Sequence, residues 1–154
     1  MGKNPTDRGK IGTKRSVLTD GGGVPIGLAV EGANRHDFKM ARATIASIPV
    51  ERPAPTPEQP QGLCLDKGYA FDEVRDLRAE FGFTAHIRAR CEEAHAVTQE
   101  AGYKARRWVV ERTHSGMNRC RRGLLRWDKK VCNYLAFLHL ACAYITYRQA
   151  GLLG

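Results

Sequence analysis

The sequence lacks three features that would each define a class of protein. Its longest apolar run, residues 134–145, is interrupted by His139 and is shorter than the about 20 residues that a membrane-spanning helix needs. Its N-terminus has no secretory signal. Its five cysteines include no C-x-x-C pair, so neither a disulfide framework nor a zinc site is indicated. We therefore expect a soluble protein of a reducing cytoplasm, with no membrane partner.

Acidic residues are scarce in one segment, and this scarcity accounts for most of the net charge. The whole chain of 154 residues carries 25 Lys and Arg against 16 Asp and Glu, a formal net charge of +9. Residues 104–130 hold ten Lys or Arg and only two acids, Glu111 and Asp128, which is a balance of +8. A basic segment this concentrated favours a polyanionic partner, and nucleic acid in particular.

Hydrophobic patterning predicts a single α/β domain with the element order β-β-α-β-α-β-α-α. Two short apolar runs flank Asp20-Gly21-Gly22-Gly23, which predicts a β-hairpin. A proline-rich connector at residues 50–60 excludes helix and central strand there. Strands are predicted at residues 15–19, 24–30, 62–66 and 84–87, and helices at residues 37–48, 71–81, 104–122 and 130–148. Residues 2–14 are predicted to be irregular.

Two expectations concern the last two helices. Gly123 should end the long basic helix, because glycine is the weakest helix former after proline. The final helix is apolar on nearly every side, and a helix of that kind is expected to be buried all round.

Asp66 is the first candidate for chemistry. It ends an apolar strand and is followed by Lys67, Gly68 and Tyr69. Ligands of open α/β sheets bind at the carboxyl ends of the strands, so this position suits a functional carboxylate. A surface turn acid is the alternative, and the motif by itself leaves both open.

Glu111 is the second candidate, because it is the only acid in the basic helix. Helical spacing places Arg107, His114, Ser115 and Asn118 on its face. The glutamate could simply form a weak surface pair with Arg107, four residues earlier. A lone carboxylate among cations also suits metal-assisted phosphoryl chemistry, since Mg²⁺ prefers carboxylate oxygen.

Four segments together resemble one known family. They read NPTDRGKIGTKRSVLTDGGGVPIGLAVEGANRHD, LCLDKGYAFDEVRDL, TAHIRAR and ARRWVVERTHSGMNRCRRGLLRWDKKVCNYLAFLHLACAYI. In combination they look like the catalytic region of insertion-sequence DDE transposases, in the large "insertion sequence five" group. The resemblance extends over nearly the whole chain.

The resemblance implies a fold, an activity and a set of residues. The fold is ribonuclease-H-like, a mixed sheet with flanking helices, and the activity is DNA transposition in the bacterial cytoplasm beside the nucleoid. Three acids of the family bind two Mg²⁺ or Mn²⁺ ions and cut and join double-stranded DNA. Asp66 and Glu111 match the second and third acids, as catalytic residues and metal ligands. The expected DNA contacts are Arg107, Arg112, Arg119, Arg121 and Arg122.

The sequence departs from the family pattern in several places. The first Asp of the family lies upstream of the segment matching residues 4–10, so we expect an N-terminally truncated domain without its first strand. Lys104 and Asn118 stand where relatives often carry Tyr and a basic residue, and Arg119 is a substitute for the latter. Gly116 replaces a large aromatic residue, which should weaken its helix by roughly 0.5–1 kcal/mol.

Neither nearby aspartate is expected to replace the absent one. Asp20 should lie at the wrong end of the sheet, because its strand runs antiparallel to the first. Asp37 should lie at the correct end but two strands away, roughly 10 Å at about 4.8 Å per strand, and suits a helix-capping or supporting role.

Three hypotheses therefore follow for function. The first is a transposase portion that is inactive alone and works with an upstream transposase polypeptide or as a homo-oligomer. The second is a non-catalytic DNA-binding remnant. The third is an assembly fragment that completes an upstream polypeptide, because unpaired strand edges associate readily.

Overall fold

The computed structural model describes residues 1–5, 8–65, 72–87 and 107–152. The chain divides into two compact units, the first formed by Met1–Pro49 with Val109–Gly154 and the second by Val50–Trp108. Across the described residues, no helix is both long enough and apolar enough to cross a lipid bilayer.

The first unit is built on an antiparallel sheet of three strands in the order β1-β2-β3. These strands are β1 (Gly2–Lys3), β2 (Ile11–Thr19) and β3 (Pro25–Gly32). The predicted hairpin is confirmed, since β2 and β3 pair in a register that brings Thr13 opposite Gly32. The expectation that residues 2–14 are irregular was wrong, because Lys3 pairs with Ile11 and β2 starts there.

The hairpin turn explains why its tip is rich in glycine. The Asp20 carboxylate accepts hydrogen bonds from the backbone N–H of Gly22 at 2.9 Å and of Val24 at 2.8 Å. Gly23 has a φ of +90°, which L side chains rarely adopt. A Cβ at Gly23 would also lie 3.4 Å from Cγ1 of Val109, so the turn lies close to the helix that contains Val109.

Helices cover both faces of this sheet. Helix α1 (Asp37–Ala46) packs on one face, where Thr44 donates to the Oγ of Ser16 at 2.8 Å. Helices α3 (Arg107–Asn118) and α5 (Val131–Gln149) pack on the other face. Alternate residues of a strand face opposite sides, so Val17 joins the second face while Ser16 joins the first.

The hydrophobic core lies between the sheet and the C-terminal helices. Its fully buried side chains are Met117 of α3 and Leu138 of α5, with Leu28 of β3 and Tyr134 of α5 beside them. Burying a side chain of this size stabilises the fold by about 1.5–3 kcal/mol. The core therefore fixes α3 against the sheet.

The final helix is confirmed, but the expectation that it is buried on all sides was wrong. Its buried residues Tyr134, Leu138 and Ala141 form a single stripe. Leu140 is 67% exposed and Tyr144 is 53% exposed. A sheet can cover only one side of a helix that packs on it. The prediction from the apolar composition of α5 therefore overestimated how much of the helix is buried.

The basic segment breaks earlier than Gly123. Helix α3 ends at Asn118, and a short helix α4 (Arg121–Leu124) contains Gly123. The break falls at Cys120, whose ψ of 110° is extended. Gly123 does not end the helix. A glycine is needed there because the backbone of Met117 lies close to it, and a Cβ would be 2.5 Å from the carbonyl oxygen of Met117. Residues 104–106 lie outside the described part of the chain.

The second unit contains a β-α-β arrangement. Strands β4 (Gly62–Leu65) and β5 (Thr84–Ile87) pair in parallel, and helix α2 (Asp72–Phe81) connects them. The proline-rich connector precedes β4 and contains Arg52. The guanidinium of Arg52 donates to Oε1 of Gln61 at 2.7 Å and to the carbonyl of Phe81, the last residue of α2, at 2.8 Å, and these bonds hold the connector against α2. The fold is thus mixed α/β as expected, with its described strands in two sheets.

Candidate functional site

Glu111 lies on the exposed side of helix α3. The buried stripe of the helix is Val109, Thr113 and Met117, at intervals of four residues. Glu111 is two residues away from this stripe and its side chain faces solvent. Among the residues that the structure describes, Glu111 has no ion-pair or hydrogen-bond partner. Its carboxylate is therefore available to a ligand.

Helix α3 is anchored near Glu111 by the hairpin turn. The hydroxyl of Thr113, which is buried, donates to the carbonyl of Gly23 at 2.8 Å and is 3.2 Å from the carbonyl of Val109. Arg112 donates to the carbonyl of Gly22 at 2.7 Å. These two neighbours in the helix hold its middle turn, and with it the backbone of Glu111.

A second anchor holds the C-terminal end of α3. Arg15 of β2 donates from one guanidinium nitrogen to Oδ1 of Asn118 at 2.7 Å and from another to the carbonyl of Gly123 at 2.8 Å. The C-terminus of a helix carries unpaired carbonyls and partial negative charge, so a cation is favourable there. The amide oxygen of Asn118 is thus the side-chain acceptor for Arg15 at this helix end.

Arg15 also influences two half-buried titratable groups, His114 and Cys142. Burial lowers the pKa of His114, and the charge of Arg15 lowers it further. Burial raises the pKa of Cys142 to about 11, although Arg15 acts in the opposite direction. The interior beside Arg15 therefore favours a neutral imidazole and a neutral thiol at pH 7.

The predicted DNA-binding arginines have different environments. Arg119 and Arg122 are exposed at the end of α3 and in α4. Arg112 is exposed as well, but its guanidinium is already bound to the hairpin turn. Arg107 and Arg121 lie in α3 and α4, and their side chains are outside the described residues.

Asp66 directly follows β4, which ends at Leu65, and lies outside the described residues. The expectation that Asp66 and Glu111 lie close together therefore stays a prediction. Within the described ranges, no group of three or more His, Cys, Asp or Glu side chains could hold a metal ion. Glu111 fits a divalent cation as one carboxylate donor, the ligand type that Mg²⁺ prefers.

Asp20 and Asp37, the two aspartates considered as replacements for the absent acid, have structural partners. The carboxylate of Asp20 accepts two backbone hydrogen bonds within the turn. Asp37 is the first residue of α1 and forms an ion pair with Lys14 at 3.2 Å. An acid in the first turn of a helix is stabilised by the helix dipole. Asp37 is not the N-cap residue of α1, which is His36, so its expected supporting role stays a prediction.

Sequence reasoning missed Arg15, Thr113 and Arg126. Thr113 had a signal, because it falls on the stripe with Val109 and Met117. Arg15 had none, since its partners Asn118 and Gly123 are more than a hundred positions away. Arg126 had none for its bond to Thr13, which is 113 positions away, although it also bonds Asp128 and Lys129 nearby.

Comparison with known proteins supports the resemblance. The family model described as "Transposase DDE domain" matches residues 2–146. A protein of Burkholderia cepacia, named as a transposase for insertion sequence element IS402, is 32% identical over 146 residues, which cover 94% of this chain and 67% of the relative. No solved structure matches the chain.

Proposed function

The chain belongs to the family of transposases with a DDE domain, and from this premise we propose that it serves metal-dependent cutting and joining of DNA at the ends of an insertion sequence. The observation that carries the proposal is the position of Glu111. Its carboxylate is exposed, has no ion-pair partner among the described residues, and sits on a helix anchored at two points.

Asp66 and Glu111 are the two proposed metal ligands in this chain. Both offer the hard oxygen donors that Mg²⁺ and Mn²⁺ take. When bound, such ions stabilise the charges on the attacking and leaving oxygens of a phosphodiester. The role of the protein is to hold Glu111 at a constant position, which the bonds of Thr113 and Arg15 support. The parallel and antiparallel strand pairs support the ribonuclease-H-like fold that the proposal includes.

Exposed cations near Glu111 are the proposed DNA contacts. The side chains of Arg119 and Arg122 are exposed and form no hydrogen bond or ion pair with the residues that the structure describes, so phosphate can reach them; Arg107 and Arg121 are proposed beside them. Arg112 has a double role in this scheme, because its guanidinium also binds the hairpin turn. Contacts of this kind hold DNA without reading its sequence.

Metal binding tests the proposal most directly. Mn²⁺ binding to the purified chain is measured by the loss of the free-ion electron paramagnetic resonance signal. We expect Asp66→Asn and Glu111→Gln each to weaken binding by more than about tenfold, the smallest loss usual for changes around a metal site. Mn²⁺ affinity that neither variant changes would refute the assignment of these two carboxylates.

Glu58→Gln is the matched control, because it removes the same charge from an exposed loop residue. It should leave Mn²⁺ affinity unchanged. Urea unfolding should give a free energy within about 0.5 kcal/mol of the unaltered chain for Glu111→Gln, since this exposed side chain has no described partner. A stable variant that has lost metal binding separates function from folding.

The proposal also includes a polypeptide partner, either a second copy or an upstream transposase polypeptide. Residues 13–19 of β2 pair with β3 on one side, and no strand in the described part of the chain pairs with the other side. An edge of this length accepts another strand readily. We expect the 154 residues alone neither to cleave nor to join DNA. Strand transfer should require co-expression with the upstream polypeptide, and robust activity of the chain alone would contradict this.

DNA binding without catalysis is a second candidate. It is favoured by the exposed arginines Arg119 and Arg122, which suit phosphate contacts whether or not a metal is bound. In that case Glu111→Gln leaves DNA affinity unchanged, while neutralising Arg119 and Arg122 weakens it and lowers its salt dependence.

A further inference from the structure

The segment between helices α4 and α5 is held by the side chain of Arg126. This guanidinium donates to the carbonyls of Asp128 at 2.9 Å and Lys129 at 3.0 Å, and to Oγ1 of Thr13 in β2 at 3.1 Å. It also lies 5.7 Å from the ring centroid of Tyr134. Through Arg126, the backbone next to residue 127 is therefore hydrogen-bonded both to strand β2 and to the following residues of the same loop.

On this fastened loop Trp127 faces solvent. Its side chain is 76% exposed, the largest exposed fraction among the large hydrophobic residues that the structure describes. Within that part of the chain, its indole has neither a ring partner nor a hydrogen-bond acceptor. An indole ring ordinarily contributes a large apolar area to a core or an interface. A fixed backbone that presents this ring outward indicates an interface.

The charge around Trp127 selects the kind of partner. Arg122, Lys129 and Lys130 are exposed nearby in sequence, and Asp128 is the only acid between them. Protein interfaces are depleted in lysine at their centres, which disfavours a protein partner for this surface. An aromatic ring among cations fits a nucleic-acid base with its flanking phosphates.

We propose that Trp127 stacks on an unpaired base of bound DNA while Lys129 and Lys130 contact the adjacent phosphates. The bases of an intact duplex already stack on each other, so the indole reaches a base face only where a base is unpaired or a step is opened. The inference rests on the proposed function for its DNA partner. It adds a base contact that lies outside the carboxylate site.

Binding of labelled oligonucleotides, measured by fluorescence anisotropy, tests the stacking. Trp127→Ala should weaken binding of a single strand, and of a duplex with one unpaired base, by about 5- to 150-fold. Binding of a fully paired duplex should change less than threefold, roughly the experimental scatter. Trp127→Phe should recover part of the affinity, because phenylalanine keeps an aromatic face.

Salt dependence separates stacking from charge. Trp127→Ala removes no charge, so the slope of log affinity against log salt should stay unchanged. Lys129→Ala and Lys130→Ala should each reduce that slope for a single strand by about 0.7. In a Trp108→Phe background, Trp127 is the only tryptophan, and its fluorescence should be quenched by single-stranded DNA.

The outcomes distinguish this inference from the proposed function. If the unaltered chain binds no DNA, both are overturned. If DNA binding and the Mn²⁺ results hold but Trp127→Ala binds every DNA as the unaltered chain does, only the stacking is overturned. Quenching of Trp127 by protein concentration alone, with self-association lost in Trp127→Ala, would make this residue a protein contact instead. Because Trp127 is exposed, its variant should unfold at the same urea concentration as the unaltered chain.

Discussion

The guanidinium of Arg15 lies 2.7 Å from Oδ1 of Asn118, and this hydrogen bond joins strand β2 to the last residue of the helix that carries Glu111. A second nitrogen of Arg15 holds the carbonyl of Gly123 in the following helix. One side chain therefore contacts both the last residue of α3 and the backbone of α4. The helix that carries Glu111 is thus bonded to a residue nearly a hundred positions before Glu111 in the chain.

Replacing Arg15 should destabilise the first unit. Arg15→Met leaves two part-buried acceptors, Asn118 and Gly123, without their charged donor. We expect the free energy of unfolding, measured in urea, to fall by about 2–3 kcal/mol. Arg35→Met is the control. Within the described part of the chain, the side chain of Arg35 forms one exposed pair, with Glu31 at 4.0 Å, so the change should alter stability by less than about 0.5 kcal/mol. Equal effects would contradict an anchoring role for Arg15.

Removing the hydroxyl of Thr113 should have a measurable cost. Thr113→Val keeps the shape of the side chain but leaves the carbonyl of Gly23 without its donor. The expected loss in unfolding free energy is about 1–2 kcal/mol. Thr146→Val is matched to it, since among the described residues that exposed hydroxyl bonds just the carbonyl of Cys142 in its own helix, at 3.0 Å. A loss no larger than in this control would show that the turn contact contributes nothing.

Gly116→Ala should stabilise the chain. Gly116 lies inside α3, and an added Cβ would be 3.4 Å from Cδ1 of Ile145, an ordinary contact distance. The gain expected from the reduced entropy of the unfolded chain is about 0.5–1 kcal/mol in chemical denaturation.

Gly123→Ala provides the opposite case. Its added Cβ would meet the carbonyl oxygen of Met117 at 2.5 Å, so the backbone has to shift and stability should fall. Stabilisation by both substitutions would mean that neither glycine is constrained by its neighbours.

His114 should make stability depend on pH. Burial, and then the charge of Arg15, lower its pKa in the folded chain below the ordinary value of 6.5. The unfolded chain therefore binds a proton first as the pH falls through about 6.5, and folding loses stability until the folded pKa is reached. Above that window the contribution of His114 is constant.

Unfolding free energies at pH 7.5 and below pH 6 measure this effect. His114→Gln should reduce the loss on acidification, while His139→Gln, at an exposed position of α5, should leave it in place. An unchanged loss in His114→Gln would assign the pH dependence to other groups.

Local sequence patterns were sufficient to predict several secondary-structure elements of this protein. The hairpin followed from two apolar runs around Asp20 and its glycines, and strand β5 and helix α5 followed from patterning and length. The family followed from the combined motifs around Asp66 and Glu111, and the comparisons confirm it. Each of these depends on residues that are close in sequence, where side-chain period and turn chemistry act directly.

Contacts between distant residues decided the rest. Which side of α5 is buried depends on the single face of the sheet that it meets. The last residue of α3, Asn118, is bonded to Arg15, which lies 103 residues earlier. The loop that carries Trp127 is bonded to strand β2 through Arg126 and Thr13, which are 113 residues apart. Periodicity within a segment contains no information about such pairs, because they form only when separate elements pack together.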